Sequence, residues 1–160
     1  NKLLSWNDAV KLPWGILLLF GGGMALAKGF DSSGLAIWIG NQMNFFSDIP
    51  LIILLLVLIA MVNFLTEITS NLATTAMLLP VLVALANTID INAYYLLVGA
   101  TVAASCAFML PVATPPNAVV FGSKILNIDD MIKKGFWMNI ISIFILTAAV
   151  YWILPLIWGF

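Results

Sequence analysis

The sequence predicts an all-α polytopic membrane protein whose helices are broken twice at membrane depth. Three observations carry that expectation. Of 160 residues, 63% are hydrophobic and 8% charged, against about 25% charged in a soluble domain, and mean hydropathy is +1.12. The tract from Ile49 to Ile89 holds one ionisable side chain, Glu67; at roughly twice the ~20 residues of a single span, it must turn back on itself. A string with three prolines, Pro111, Pro115 and Pro116, interrupts a second apolar tract that resumes at Ala118, and proline cannot continue a helix interior.

Composition also excludes whole classes of function. Net charge is −1 and no basic run offers a surface to nucleic acid. Histidine is absent and Cys106 is the lone cysteine, which leaves neither a nucleophile–base pair for an enzyme nor a transition-metal site. Asn1 is not an initiator methionine and no signal-type segment precedes the first apolar run, so the chain is expected to be a piece of something longer.

Taken in order, residues 13–28 read as a transmembrane helix, opened by Pro13 in a first turn and Trp14 at the interface. Gly21, Gly22 and Gly23 lack the spacing of a phosphate loop and suit close helix packing. Over 32–47, Leu35, Trp38, Ile39, Met43 and Phe46 recur at helical spacing opposite Ser33, Asn41 and Asn44, which describes an amphipathic helix lying in the membrane interface. Asp48 is the expected N-cap and Pro50 the first turn of a helical hairpin over 50–87. Its tip falls at 69–72, because Ser70 and Asn71 prefer turns and caps over helix interiors.

A further helix over 92–124 is expected to break at 111–117, and Asn127 to Asp130 to form a short capped turn. The last span covers 135–158, with Trp137, Tyr151, Trp152 and Trp158 near its ends. This arrangement puts Lys2, Lys11, Lys124, Lys133 and Lys134 on one side and Lys28 on the other. By the positive-inside rule the C-terminus then lies outside.

Non-helical backbone survives in hydrocarbon only when buried in protein or lining a wet cavity, so both breaks point to a site. Each ends one helix, near Thr69 and near Val112, with carbonyls suited to a small cation. Each starts another, near Leu72 and near Asn117, with N–H groups suited to an anion. Thr66, Thr69, Ser70, Asn71 and Thr114 add neutral oxygens for an alkali cation, and Ser70, Asn71 and Thr114 can donate to a carboxylate. Glu67 reads equally as a cation or proton ligand and as a structural tie. Thr74 and Thr75 read as packing hydroxyls, and Asn117 as a cap or a bond across to the hairpin.

The strings FLTEITSNLATTAMLLP and MLPVATPPNAVVFGS resemble the second hairpin tip and second broken helix of the divalent anion:sodium symporters, the INDY-type di- and tricarboxylate transporters. The likeness runs from about Trp14 to the C-terminus, and ATPPNA is its most specific part. It implies half of an inverted-repeat transporter, the C-terminal repeat, with a re-entrant helical hairpin and a discontinuous transmembrane helix. The whole would be a homodimer with an elevator motion in a bacterial inner membrane. The resemblance assigns Thr66, Thr69, Asn71 and Ala113 to a sodium ion, and Ser70, Asn71, Leu72, Thr114 and Pro115 to the substrate, a dicarboxylate such as succinate, malate or fumarate.

Leu72 departs from the pattern, in which a threonine often stands there; only its backbone N–H remains as a contact. Carriage of sulfate, citrate or arsenite, exchange in place of symport, and a structural subunit with no solute site are the competing readings. Moving a dianion inward against the membrane potential costs about 2.3 kcal/mol per charge per 100 mV, so at least three sodium ions are needed before voltage favours uptake. With the N-terminal repeat missing, this chain alone is not expected to transport.

Overall fold

The structure, a computed structural model, describes residues 49–123 and 125–160, with isolated positions between 6 and 38. The helices expected over 13–28 and 32–47, and the Asp48 cap, therefore lie outside the described residues. All regular structure in the segment from residue 49 onward is helical.

Helix α1 (Leu51–Leu65) follows Pro50, whose carbonyl accepts the first helical bonds from Ile53 and Leu54 at 2.9 and 3.1 Å. It ends by tightening: Glu67 and Ile68 donate to Phe64 and Leu65, three residues back, the usual tighter last turn of a helix. Ser70 is extended (φ −69°, ψ 129°), and α2 (Asn71–Thr88) starts immediately after it. At the far end of α2, Asp90 takes φ 54° and Ile91 N–H reaches back to Ala86 O at 3.0 Å. This left-handed cap is a role in which aspartate is one of the few tolerated non-glycine residues.

Helix α3 (Ala93–Ala104) opens with the Asn92 side chain accepting from Tyr94 N–H at 3.0 Å. It stops at Ala104, well before the expected break at 111–117, and the chain runs irregularly to Thr114, where α4 (Pro115–Gly122) begins. Prolines decide only the later part of this irregular stretch. The earlier part leaves the helix because side chains from other helices take over its backbone partners.

The last helix also differs from the expectation. Asn127 to Asp130 do not form a separate turn: α5 (Ile128–Ala148) starts there, with Asp129 and Asp130 in its first turn, where carboxylates complement the helix dipole. It runs through a π-helical segment (Ala149–Ile153) into α6 (Leu154–Trp158) as one length of 31 residues. Pro155 explains the widened turn. A proline ring collides with the carbonyl four residues back, and a single π-turn is one way to accommodate it.

Helix α3 sits at the centre. Both α1 and α2 pack on it more than on each other, and α1 also packs on α5. Leu55, Ile59 and Val62 of α1 and Leu96 and Ala100 of α3 are almost fully buried. The approach is close because α3 is small-sided: a Cβ at Gly99 would already touch Ile59 at 3.5 Å. Facing away, Ile141, Phe144 and Ile145 of α5 are more than half exposed, an apolar surface far beyond what a soluble monomer leaves to water. Asn71–Thr88 and Ile128–Trp158 are long and apolar enough to cross a membrane, while Leu51–Leu65 and Ala93–Ala104 are shorter.

Candidate functional site

The tip and the irregular stretch after α3 are bound together by side chains, chiefly from the end of α1 and the turn that follows it. Asn63 donates to Cys106 O at 2.6 Å, and Thr66 Oγ1 lies 2.8 Å from Ala104 O. Glu67 does most. Its Oε1 accepts from the backbone N–H of Phe108 and Met109 at 2.8 and 2.9 Å, its Oε2 from Leu110 at 3.0 Å. Asn139 of α5 adds a fourth donor to Oε1 at 2.7 Å. From the far side, Asn117 Nδ2 donates to Ala107 O and Leu110 O at 2.9 and 3.1 Å.

Gly135 of α5 supplies the seat. A methyl group there would fall 2.6 Å from Met109 Cα and closer still to the Phe108 carbonyl, so only glycine lets this backbone lie on α5. Asn117 therefore neither caps its helix nor bonds to the hairpin; it clasps the irregular stretch from within.

These contacts revise the expected division of labour between the breaks. The carbonyls of Ala104, Cys106, Ala107 and Leu110 are taken by side chains. At the start of α4, two prolines have no N–H, Asn117 N–H goes to Thr114 Oγ1 at 3.3 Å, and Ala118 N–H goes to Thr114 O. Helix α4 itself thus begins with no free N–H, contrary to the expectation near Asn117, while in the stretch before it the N–H groups of Ala107, Val112 and Thr114 have no partner among the described residues. Helix α2, at the first break, differs: the bond from Thr74 N–H to Ser70 O at 2.8 Å is the first of α2, which leaves the N–H groups of Asn71, Leu72 and Ala73 without a partner among the described residues, at a helix N-terminus.

Thr66 is fully buried, and its Oγ1 also lies 2.5 Å from Asn71 Oδ1. A hydroxyl has one hydrogen; with it on Ala104 O, an Asn71 amide turned to present its NH2 satisfies both contacts. Thr69 Oγ1 donates to Leu65 O at 2.8 Å and pairs with Thr74 Oγ1 at 2.6 Å, while the Thr69 and Ala113 carbonyls accept no hydrogen bond among the described residues. Ser70 is exposed, and its hydroxyl makes no cap bond. Leu72 is half-buried, Ala113 is buried, Thr114 is half-buried and Pro115 is exposed. Of the expected site residues, Thr66 and Asn71 are brought into direct contact. No hydrogen bond joins Ala113, Thr114 or Pro115 to the tip among the described residues; the connection runs through 104–110.

A cleft of about 910 Å³ between α2 and α3 has Asn71, Leu72 and Ser105 at one end and Tyr94 and Trp158 among its remaining walls. Among the described residues no charged one lines it, and a dianion set among its apolar walls would be costly. The polar chemistry lies at the tip instead.

Asn63, Asn139 and Gly135 escaped the sequence reading. Asn63 and Glu67 are four residues apart, hence on one helix face, and that pairing of polar groups inside an apolar run was the available signal. Nothing in the sequence marks Gly135 as different from the glycines that only pack.

The description "sodium:sulfate symporter transmembrane region" matches residues 1–158 of this chain. A protein called sodium-dependent dicarboxylate transporter SdcS from Staphylococcus saprophyticus subsp. saprophyticus is 46% identical over 159 residues, which cover 99% of this chain and 31% of that relative. Proteins of the same name from Staphylococcus aureus strains MRSA252 and USA300 match at the same identity and coverage. The chain thus spans about a third of the length of these curated relatives. With nearly its whole length matched, it belongs to the sodium:sulfate symporter transmembrane family.

Proposed function

We propose that this chain is the C-terminal repeat of a secondary active transporter that couples sodium entry to uptake of a dicarboxylate such as succinate, malate or fumarate, and that it is not an enzyme. The observation that carries the reading is the pairing at the tip of three unpaired N–H groups, on Asn71, Leu72 and Ala73, with neutral oxygens beside them. Helix N-termini aimed at anionic substrate groups, with unwound carbonyls holding the cation, are how broken-helix transporters meet both charges. In this reading Thr66, Thr69, Asn71 and Ala113 hold one sodium ion. Ser70, Asn71, Leu72, Thr114 and Pro115 meet the substrate, Leu72 through its N–H and Thr114 through its hydroxyl.

The names of the relatives favour a dicarboxylate over sulfate. Helix α1, at 15 residues and about 1.5 Å of rise each, falls short of the ~30 Å hydrocarbon core, which supports a hairpin that re-enters and turns at mid-depth. The N-terminal repeat, a homodimer, an elevator motion and a bacterial inner membrane with the C-terminus outside complete the proposal.

The test is uptake of labelled succinate into proteoliposomes by the full-length protein under an inward sodium gradient, with Asn71→Ala as control and unlabelled sulfate as competitor. Sodium-dependent uptake abolished in Asn71→Ala and resistant to sulfate is the expected result. Uptake that sulfate suppresses and succinate does not would overturn the substrate class.

A further inference from the structure

Glu67 is the one ionisable side chain between Ile49 and Ile89, and the sodium reading above gives it no part. We infer that Glu67 is a positioning residue for that site: it holds the stretch 104–114 in register with the tip, without itself touching cation or substrate. The inference rests on the proposed sodium site, whose oxygens come from both sides of this junction, Thr66, Thr69 and Asn71 on the tip and Ala113 three residues beyond Leu110.

Four observations converge on it. Glu67 is almost fully buried, and its carboxylate is already met by four donors, three of them consecutive backbone N–H groups. Oε1 takes three of those four, which leaves it no room in a cation's shell. Among the described residues the carboxylate has no hydrogen-bond partner beyond these four and no ion pair. The donors come from two different elements, the stretch after α3 and Asn139 of α5, so one side chain ties α1, the second break and the last helix together.

Asn139 and Asn63 complete a ladder across the α1/α5 contact. Glu67 bonds to Asn139 on one rung, and Asn63 reaches Ser142 at 3.3 Å on the next. The buried amide oxygens of Asn63 and Asn139 have no donor among the described residues. Both side chains are thus oriented by what their NH2 groups hold, Cys106 O and Ser142 for Asn63 and Glu67 for Asn139, and not by what their oxygens gain. That geometry belongs to an anchor.

An anchor and a ligand respond differently to loss of charge alone. Glu67→Gln can keep its carbonyl oxygen at the Oε1 position and retain three of the four bonds, setting its NH2 against Leu110 N–H only. Glu67→Ala keeps none. Removing a group that orients ion ligands typically weakens ion binding by roughly 10–100-fold, so Glu67→Ala is expected to raise the half-saturating sodium concentration of full-length protein into that range. Glu67→Gln is expected to raise it far less than Glu67→Ala does, because three of the four donors keep an acceptor. The pH profile of uptake is expected to keep its wild-type shape in Glu67→Gln. If Glu67→Gln instead loses sodium coupling as completely as Glu67→Ala, or changes the pH profile, the carboxylate acts through its charge and the anchor is wrong.

Hydrogen exchange at the amides of Phe108, Met109 and Leu110 supplies the second readout, independent of transport. Protection is expected in wild type, largely in Glu67→Gln, and lost in Glu67→Ala; equal protection in all three overturns the inference. If Glu67→Ala does not fold, the Glu67→Gln sodium curve and exchange pattern still decide. A wild-type protein that takes up neither succinate nor sulfate, yet shows the Glu67-dependent protection, would locate the failure in the transport reading and not in the anchor's geometry.

Discussion

Gly135→Ala tests the seat of the second break with one methyl group. The new Cβ would lie 2.6 Å from Met109 Cα, whereas carbon atoms rest about 3.5–4.0 Å apart, so backbone and helix must separate by about 1 Å. If the stretch 108–110 alone moved, its bonds to Glu67, now 2.8 to 3.0 Å, would lengthen to about 3.8–4.0 Å and cease to be hydrogen bonds. Bonds to a charged group contribute about 1.5–3 kcal/mol each; overpacking that is shared among neighbours costs about 1–3 kcal/mol.

The shared route is cheaper, so the expected loss is about 2–4 kcal/mol, the strain plus part of the weakened bonds. Gly99→Ala is the matched control. Its Cβ would meet Ile59 and Leu55 at 3.5 to 3.8 Å, ordinary contact, and alanine favours a helix over glycine by about 1 kcal/mol. Thermal unfolding of the detergent-solubilised full-length protein, followed by tryptophan fluorescence, reads both. Gly135→Ala should lose several degrees and Gly99→Ala none. Equal midpoints for the two variants would refute the claim that the break rests on α5 at this point.

Thr66→Val keeps the shape of a fully buried side chain and removes the hydroxyl that meets Ala104 O and Asn71 Oδ1; it should raise the half-saturating sodium concentration and destabilise by about 1–3 kcal/mol, measured by uptake and unfolding together. Asn117→Ala strips donors from two carbonyls and is expected to cost about 1–3 kcal/mol, with faster hydrogen exchange confined to 105–118. Asp90 sits at φ 54°, where a side chain costs about 1–2 kcal/mol relative to glycine. Asp90→Gly should hold or slightly raise the unfolding midpoint and Asp90→Val lower it, and the opposite order would remove the left-handed cap from the account.

The membrane class, the turn at Ser70–Asn71 and the start of α3 at Asn92 follow from local features: hydropathy over long windows, residues that compete for backbone hydrogen bonds, and an N-capping side chain. These depend on neighbours in sequence, so composition and spacing suffice to place them. The early end of α3 at Ala104 could not be read that way. Its residues from Ser105 to Leu110 contain no proline and would suit a helix; they leave it because Glu67, Asn63, Thr66 and Asn117 offer their backbone better partners from 7 to 43 residues away.

The tertiary structure likewise decided that Gly135 is irreplaceable while Gly99 is not, since the difference is whether a backbone or the end of a flexible side chain lies opposite. It also set the roles of the two breaks. Proline at 115–116 and the Thr114 cap leave α4 no free N–H of its own to offer an anion, whereas three stay unpaired at the start of α2 among the described residues. Residue types alone made the two look alike, and only the pairing of each N–H and carbonyl distinguishes them.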